Sequence, residues 1–110
     1  MGSITWDDFE KVEMRVGVIT AVEDFPEARK PAYKLTIDFG LHGVRRSSAQ
    51  VTHYAKESLL GRRVVAVMNF PPRQIGKFMS EVLVLGAVES NGRVVLLKPD
   101  EVAELGSRIA

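Results

Sequence analysis

The sequence predicts an all-β fold, and three observations carry that expectation. Apolar residues alternate with polar ones in several separate segments, the period of half-buried strands. A short helical pattern interrupts them once, after the third segment. Near the end, Asn91-Gly92 stands between two apolar runs, a strong local signal for a tight hairpin.

The first element is a helical turn in "ITWDDFEKV". Thr5 is placed as N-cap, Asp8 as its reciprocal partner, and Ile4 and Phe9 as a hydrophobic staple. Trp6 and Phe9, three apart, share a face. From Met14 the period becomes two, with Met14, Val16, Val18 and Val22 expected on one side of a long strand. Gly17 inside it is the residue expected to permit a bulge or sharp coiling. After the polar turn "DFPEARKPA", Tyr33, Leu35, Ile37 and Phe39 alternate with Lys34, Thr36 and Asp38 as a second strand.

"VRRSSAQV" reads as a third strand, with small polar residues where bulk is usual. "THYAKESLLG" then fits a helix of about two turns, capped by Thr52 and ended by Gly61. "RRVVAVMNF" and "SEVLVLGAV" are strands flanking the loop "PPRQIGKFM". "RVVLLK" follows the Asn-Gly turn, and "PDEVAEL" is expected as a terminal helix begun by Pro99 and ended by Gly106. This order is that of a five-stranded OB barrel, with short helices at the termini and after the third strand. An SH3-like barrel or a small sandwich shares it, because element order does not fix pairing.

The chain of 110 residues is expected to form one domain, spanning 1–110, with a single core. Apolar residues at 45% and charged residues at 26% suit a soluble globular chain rather than a disordered or fibrous one. Cysteine is absent, which excludes disulfides, thiolate metal sites and thiol catalysis, and suits a reducing cytoplasm. No apolar run approaches a membrane helix and no signal-peptide pattern opens the chain, so a cytoplasmic location is expected.

The net charge of +1 conceals a division. Residues 29 to 77 carry ten Lys/Arg against only Asp38 and Glu57, while both ends are acidic. A basic surface able to attract polyanions follows from that asymmetry. His42 and His53 lack metal-ligand spacing, so no metal or other cofactor is expected. Ser47 and Ser48 have neither a base nor a strand-to-helix elbow, and the acids form no distinguishable pair, so the chain is not read as an enzyme.

Arg29, Lys30, Lys34, Arg73 and Lys77 come from two loops and a strand edge, interleaved with Phe25, Tyr33, Phe70 and Phe78. Cations contact phosphates, and aromatic faces accept bases or apolar side chains. Strand alternation assigns Phe39 and Phe70 to the core. Phe78 and Met79 do not fit that pattern, and an exposed Phe-Met pair points to polypeptide binding.

"FEKVEMRVGVI", "FPEARKPAYKLTIDFG", "RRSSAQVTHYA" and "VVAVMNFPPRQIGKFMSEVLVLGA" together resemble the CsaA export-related chaperones. These are small homodimeric relatives of the tRNA-binding domain attached to some aminoacyl-tRNA synthetases and to EMAP-II-like cytokines. The resemblance spans nearly the whole chain. It implies an OB-fold homodimer with terminal segments at the interface, giving Trp6 and Phe9 a partner. It also implies binding of unfolded or presecretory polypeptides, a connection to the protein-export machinery and, as the alternative, binding of tRNA.

The ligand-face positions that this resemblance carries over are Arg29, Lys30, Lys34, Ser47, Ser48, Gln50, Asn69, Arg73, Lys77 and Ser80, to which Phe78 and Met79 are added from the residues themselves. One departure stands out. Glu81-Val82-Leu83 occupies the place where tRNA-binding relatives continue with a small residue and Gly-Met, which puts an acid beside the expected phosphate path.

Overall fold

In the computed structural model, which describes residues 2–110, the alternating segments pair as antiparallel neighbours. In chain order the strands are β1 (Met14–Asp24), β2 (Tyr33–Asp38), β3 (Val44–Ala49), β4 (Arg63–Val67), β5 (Arg73–Ile75), β6 (Phe78–Ser80), β7 (Leu83–Val84), β8 (Gly86–Val88) and β9 (Val94–Leu96). The main sheet runs β3-β2-β1-β4-β7, and β5-β6 and β8-β9 are separate hairpins.

The residues just before β7 return to β3 and nearly close the sheet into the expected five-stranded OB-type barrel. Side chains supply most of this seam. The Glu81 N–H donates to the Arg46 carbonyl at 2.8 Å, and Glu81 Oε1 accepts from the Arg46 N–H at 3.0 Å. Ser80 Oγ accepts from the Ser48 N–H at 3.0 Å, and Ser47 Oγ donates to the Val82 carbonyl at 2.9 Å. The Ser47 and Ser80 hydroxyls and the Glu81 carboxylate thus stand in for ladder bonds along this seam.

β2 follows its alternation throughout: Tyr33, Leu35, Ile37 and the adjoining Phe39 are buried and join one core cluster. β1 departs from the expected phase. Its pairing with β2 slips between Ile19 and Ala21, so the bulge lies at Thr20 rather than at Gly17. Ile19 and Val22 consequently both reach the core, whereas Val16 and Met14 are outside that cluster. Gly17 has a different reason to be glycine. A Cβ there would lie 2.6 Å from both Ile37 Cγ2 and Phe39 Cε1, so β1 can cross those side chains only without one.

The helices are shorter than the sequence suggests. α1 (Trp6–Glu10) has its full capping box, with Thr5 and Asp8 bonded reciprocally at 3.0 and 3.1 Å. α2 (Lys56–Leu59) begins after Ala55, not Thr52. Residues 51–54 instead form a turn, because Tyr54 is fixed at both ends: its carbonyl accepts from Tyr33 Oη at 2.9 Å and its hydroxyl from the Leu96 N–H at 3.1 Å.

The expected terminal helix "PDEVAEL" is absent. That chain end pairs along β1 where β2 has not yet begun: the Gly106 N–H donates to the Val16 carbonyl at 2.8 Å, and the Val16 N–H to the Ser107 carbonyl at 3.0 Å. Arg15 Nη1 adds a bond of 2.9 Å to the Gly106 carbonyl. Satisfying the open strand edge outweighs a weak helical preference. The β8–β9 hairpin forms as expected, with Gly92 at φ +88° in its turn.

Candidate functional site

The β5–β6 hairpin decides how the central loop is used. Gly76, at φ +61°, and Lys77 make its turn, and the register sets Ile75 opposite Phe78, Gln74 opposite Met79 and Arg73 opposite Ser80. Side chains of directly opposed residues lie on the same face. Arg73, Ile75, Phe78 and Ser80 therefore share one face of the hairpin, and Gln74 and Met79 the other.

The expectation of an exposed Phe-Met pair is corrected on this point. Phe78 is only 7% exposed, whereas Met79 is 43% exposed on the opposite face. Phe78 meets Phe25 edge-on, with Lys34 Nζ 5.9 Å and Arg46 Cζ 4.7 Å from its ring centroid. Lys34 is also 5.4 Å from the Phe25 centroid, and Arg46 pairs with Glu23 at 2.9 Å. Two aromatic rings and two cations thus pin the hairpin to the barrel.

Beside this anchor a cleft of about 610 Å³ opens between the 28–32 turn, the end of β3 and the hairpin. Arg29, Lys30, Ser48, Gln50, Arg73 and Ser80 line it together, as does Glu81. Its apolar wall is Ala28, Ala32, Phe70, Pro71, Ile75, Val82 and Leu83. Phe70, expected in the core, is 54% exposed here, because β4 ends at Val67 and the prolines that follow turn the chain outward.

The remaining candidate residues lie elsewhere. Lys34 is in the aromatic anchor. Ser47 is buried in the barrel seam. Lys77 is at the hairpin tip, exposed and outside the cleft wall. Asn69 fastens the N-terminal segment: its Oδ1 accepts from the Glu13 N–H at 3.0 Å and its Nδ2 donates to the Lys11 carbonyl at 2.7 Å. Trp6 is 82% exposed on α1, and Phe9 is half-buried.

The sequence reading missed the apolar wall. Proline at 71 and 72, which excludes a central strand, was the signal that Phe70 leaves the core. Among the described residues, Arg29, Lys30 and Arg73 make no ion pair within the chain, so their charges face solvent and the cleft. No group of three or more His, Asp or Glu among the described residues is arranged to hold a metal. No helix among them is long and apolar enough to cross a membrane.

Comparison with known proteins places this geometry. Residues 14–108 match the family model described as "Putative tRNA binding domain". The CsaA chaperone structure from Picrophilus torridus is 54% identical with a TM-score of 0.92, covering 98% of this chain and 100% of that one. The chaperone CsaA structure from Bacillus anthracis str. Ames is 46% identical with a TM-score of 0.93, covering 99% and 100%. Among curated relatives, methionine–tRNA ligase 1 of Sorangium cellulosum is 42% identical over 106 residues, or 96% of this chain. The chain spans only about 15% of the length of the curated ligases it matches. Fold and sequence agree: the chain belongs to the tRNA-binding-domain family, among its CsaA chaperone members.

Proposed function

We propose that this chain is a non-catalytic chaperone module that holds unfolded or presecretory polypeptide segments in the cleft between the 28–32 turn and the β5–β6 hairpin. The observation that carries this reading is the pairing of open apolar side chains with a cationic rim. Phe70 and Leu83 remain exposed beside Arg29, Lys30 and Arg73. An extended apolar segment gains by covering the wall, and the rim keeps the empty cleft hydrated.

The names of the CsaA structures support the chaperone reading. The test is suppression of aggregation of a denatured client, repeated with Phe70→Ser and Leu83→Ser. Loss of suppression in the variants is expected; no suppression by the unaltered protein would reject the reading.

Export-related action, in contact with the export machinery, and a cytoplasmic location are part of the same proposal. So is homodimer formation through the N-terminal segment, where Ile4 and Trp6 stand exposed. Sedimentation at micromolar concentration tests the dimer, with Trp6→Ser expected to shift it towards monomer.

A second reading is tRNA binding, favoured by the three unpaired cations beside the Ser48, Gln50 and Ser80 side chains and by the family model. Phosphate contacts make affinity fall with salt, each one contributing a slope of roughly 0.7–0.9 in log-log form. Arg29→Ala with Arg73→Ala is expected to flatten the salt dependence of tRNA binding, and salt-independent binding would reject this reading.

A further inference from the structure

We infer that Glu81 makes the cleft selective for apolar polypeptide segments carrying a Lys or Arg close to the apolar run; the inference rests on the polypeptide reading above and narrows its ligand class. Glu81 is held in place from two sides by one residue, its N–H on the Arg46 carbonyl and its Oε1 on the Arg46 N–H. A carboxylate offers about four acceptor positions, and that bond uses one of them. No cation of the described chain pairs with Glu81, since the nearby Arg46 guanidinium is taken by Glu23.

The result is a fixed negative charge in the cleft wall, next to Val82 and Leu83. The rim charges of Arg29, Lys30 and Arg73 oppose it in sign but not in setting. All three are exposed, so water and salt screen them, whereas Glu81 is partly buried and screened less. A phosphodiester chain laid along the cleft would pass this carboxylate with like charge. A polypeptide whose basic side chain reaches Glu81 while its apolar neighbours cover Val82, Leu83 and Phe70 satisfies both.

The test uses two labelled peptides with the same apolar sequence, one bearing Lys and the other Gln at the flanking position, against the unaltered protein and Glu81→Gln. The Gln side chain keeps an oxygen to accept the Arg46 N–H and removes only the charge. The unaltered protein is expected to prefer the Lys peptide by about three- to fivefold, the range of a partly exposed ion pair. That preference should vanish in Glu81→Gln, the two peptides then binding the variant alike, and tRNA should bind the variant about threefold more tightly.

Should the variant not fold, the ratio between the two peptides on the unaltered protein at low and high salt still decides, because an ionic preference shrinks as salt rises. Equal binding of both peptides by the unaltered protein overturns the inference and leaves the chaperone reading standing. Binding of neither overturns both.

Discussion

Phe78 packs edge-on against Phe25 with ring centroids 5.3 Å apart and planes inclined by 61°. One ring belongs to the hairpin and the other to the turn after β1, so this contact fastens the hairpin wall of the cleft to the barrel. Phe78→Ala removes it and leaves Arg46 without the ring it stacks on, while Lys34 keeps Phe25 alone. Chemical denaturation is expected to show a loss of about 3 kcal/mol, and hydrogen exchange should show faster opening of the hairpin amides. Met79→Ala, one residue on but facing outward, should stay within about 0.5 kcal/mol of the unaltered protein.

Gly17→Ala places a methyl group 2.6 Å from the fully buried Ile37 and Phe39 side chains. Neither can retreat within a filled core, and overpacking of this kind costs roughly 1–3 kcal/mol. A lowered denaturation midpoint with an unchanged slope is the expected result.

Asn69→Ala releases the Glu13 N–H and the Lys11 carbonyl together. Each bond is worth about 1 kcal/mol at most at an exposed site. Global stability should therefore fall modestly. Exchange protection at Glu13 should fall clearly, and the N-terminal segment should become easier to cleave with protease.

Lys56 Nζ lies 2.9 Å from Asp24 Oδ2. The hydrogen bond to Asp24, with burial opposing it and the Asp24 charge assisting, raises the ammonium above its ordinary 10.5. A raised cationic group lends its stability in full below the unfolded-state value and loses it as pH climbs through the folded-state value. Melting curves of Lys56→Met and the unaltered protein should therefore differ by a constant margin from pH 6 to 9, and that margin should shrink only in strongly alkaline solution.

Much of the barrel was legible from local pattern, since β2, the α1 capping box and the Asn91-Gly92 hairpin each depend on residues adjacent in the chain. What escaped depended on distant partners. The phase of β1 follows from a slip against β2 at Thr20, which no local period records. The terminal helix gave way to an open edge some ninety residues earlier in the chain, as the 91-residue separation of Arg15 and Gly106 makes plain. Of the candidate site, the cations at 29, 30 and 73 were readable from charge clustering. The fates of Phe70 and Phe78 were exchanged in the reading: the prolines after Phe70 were the overlooked signal, and for Phe78 composition cannot tell which face of a three-residue strand turns inward.

The seam between β3 and residues 80–82 also bears on life among sticky chains. Bare strand borders are templates on which foreign segments add and aggregates begin. Ser48 and Arg46 spend their main-chain groups on Ser80 and Glu81 instead. A molecule built this way, if it holds unfolded neighbours in its groove as proposed, withholds along this seam the rail on which they would polymerise.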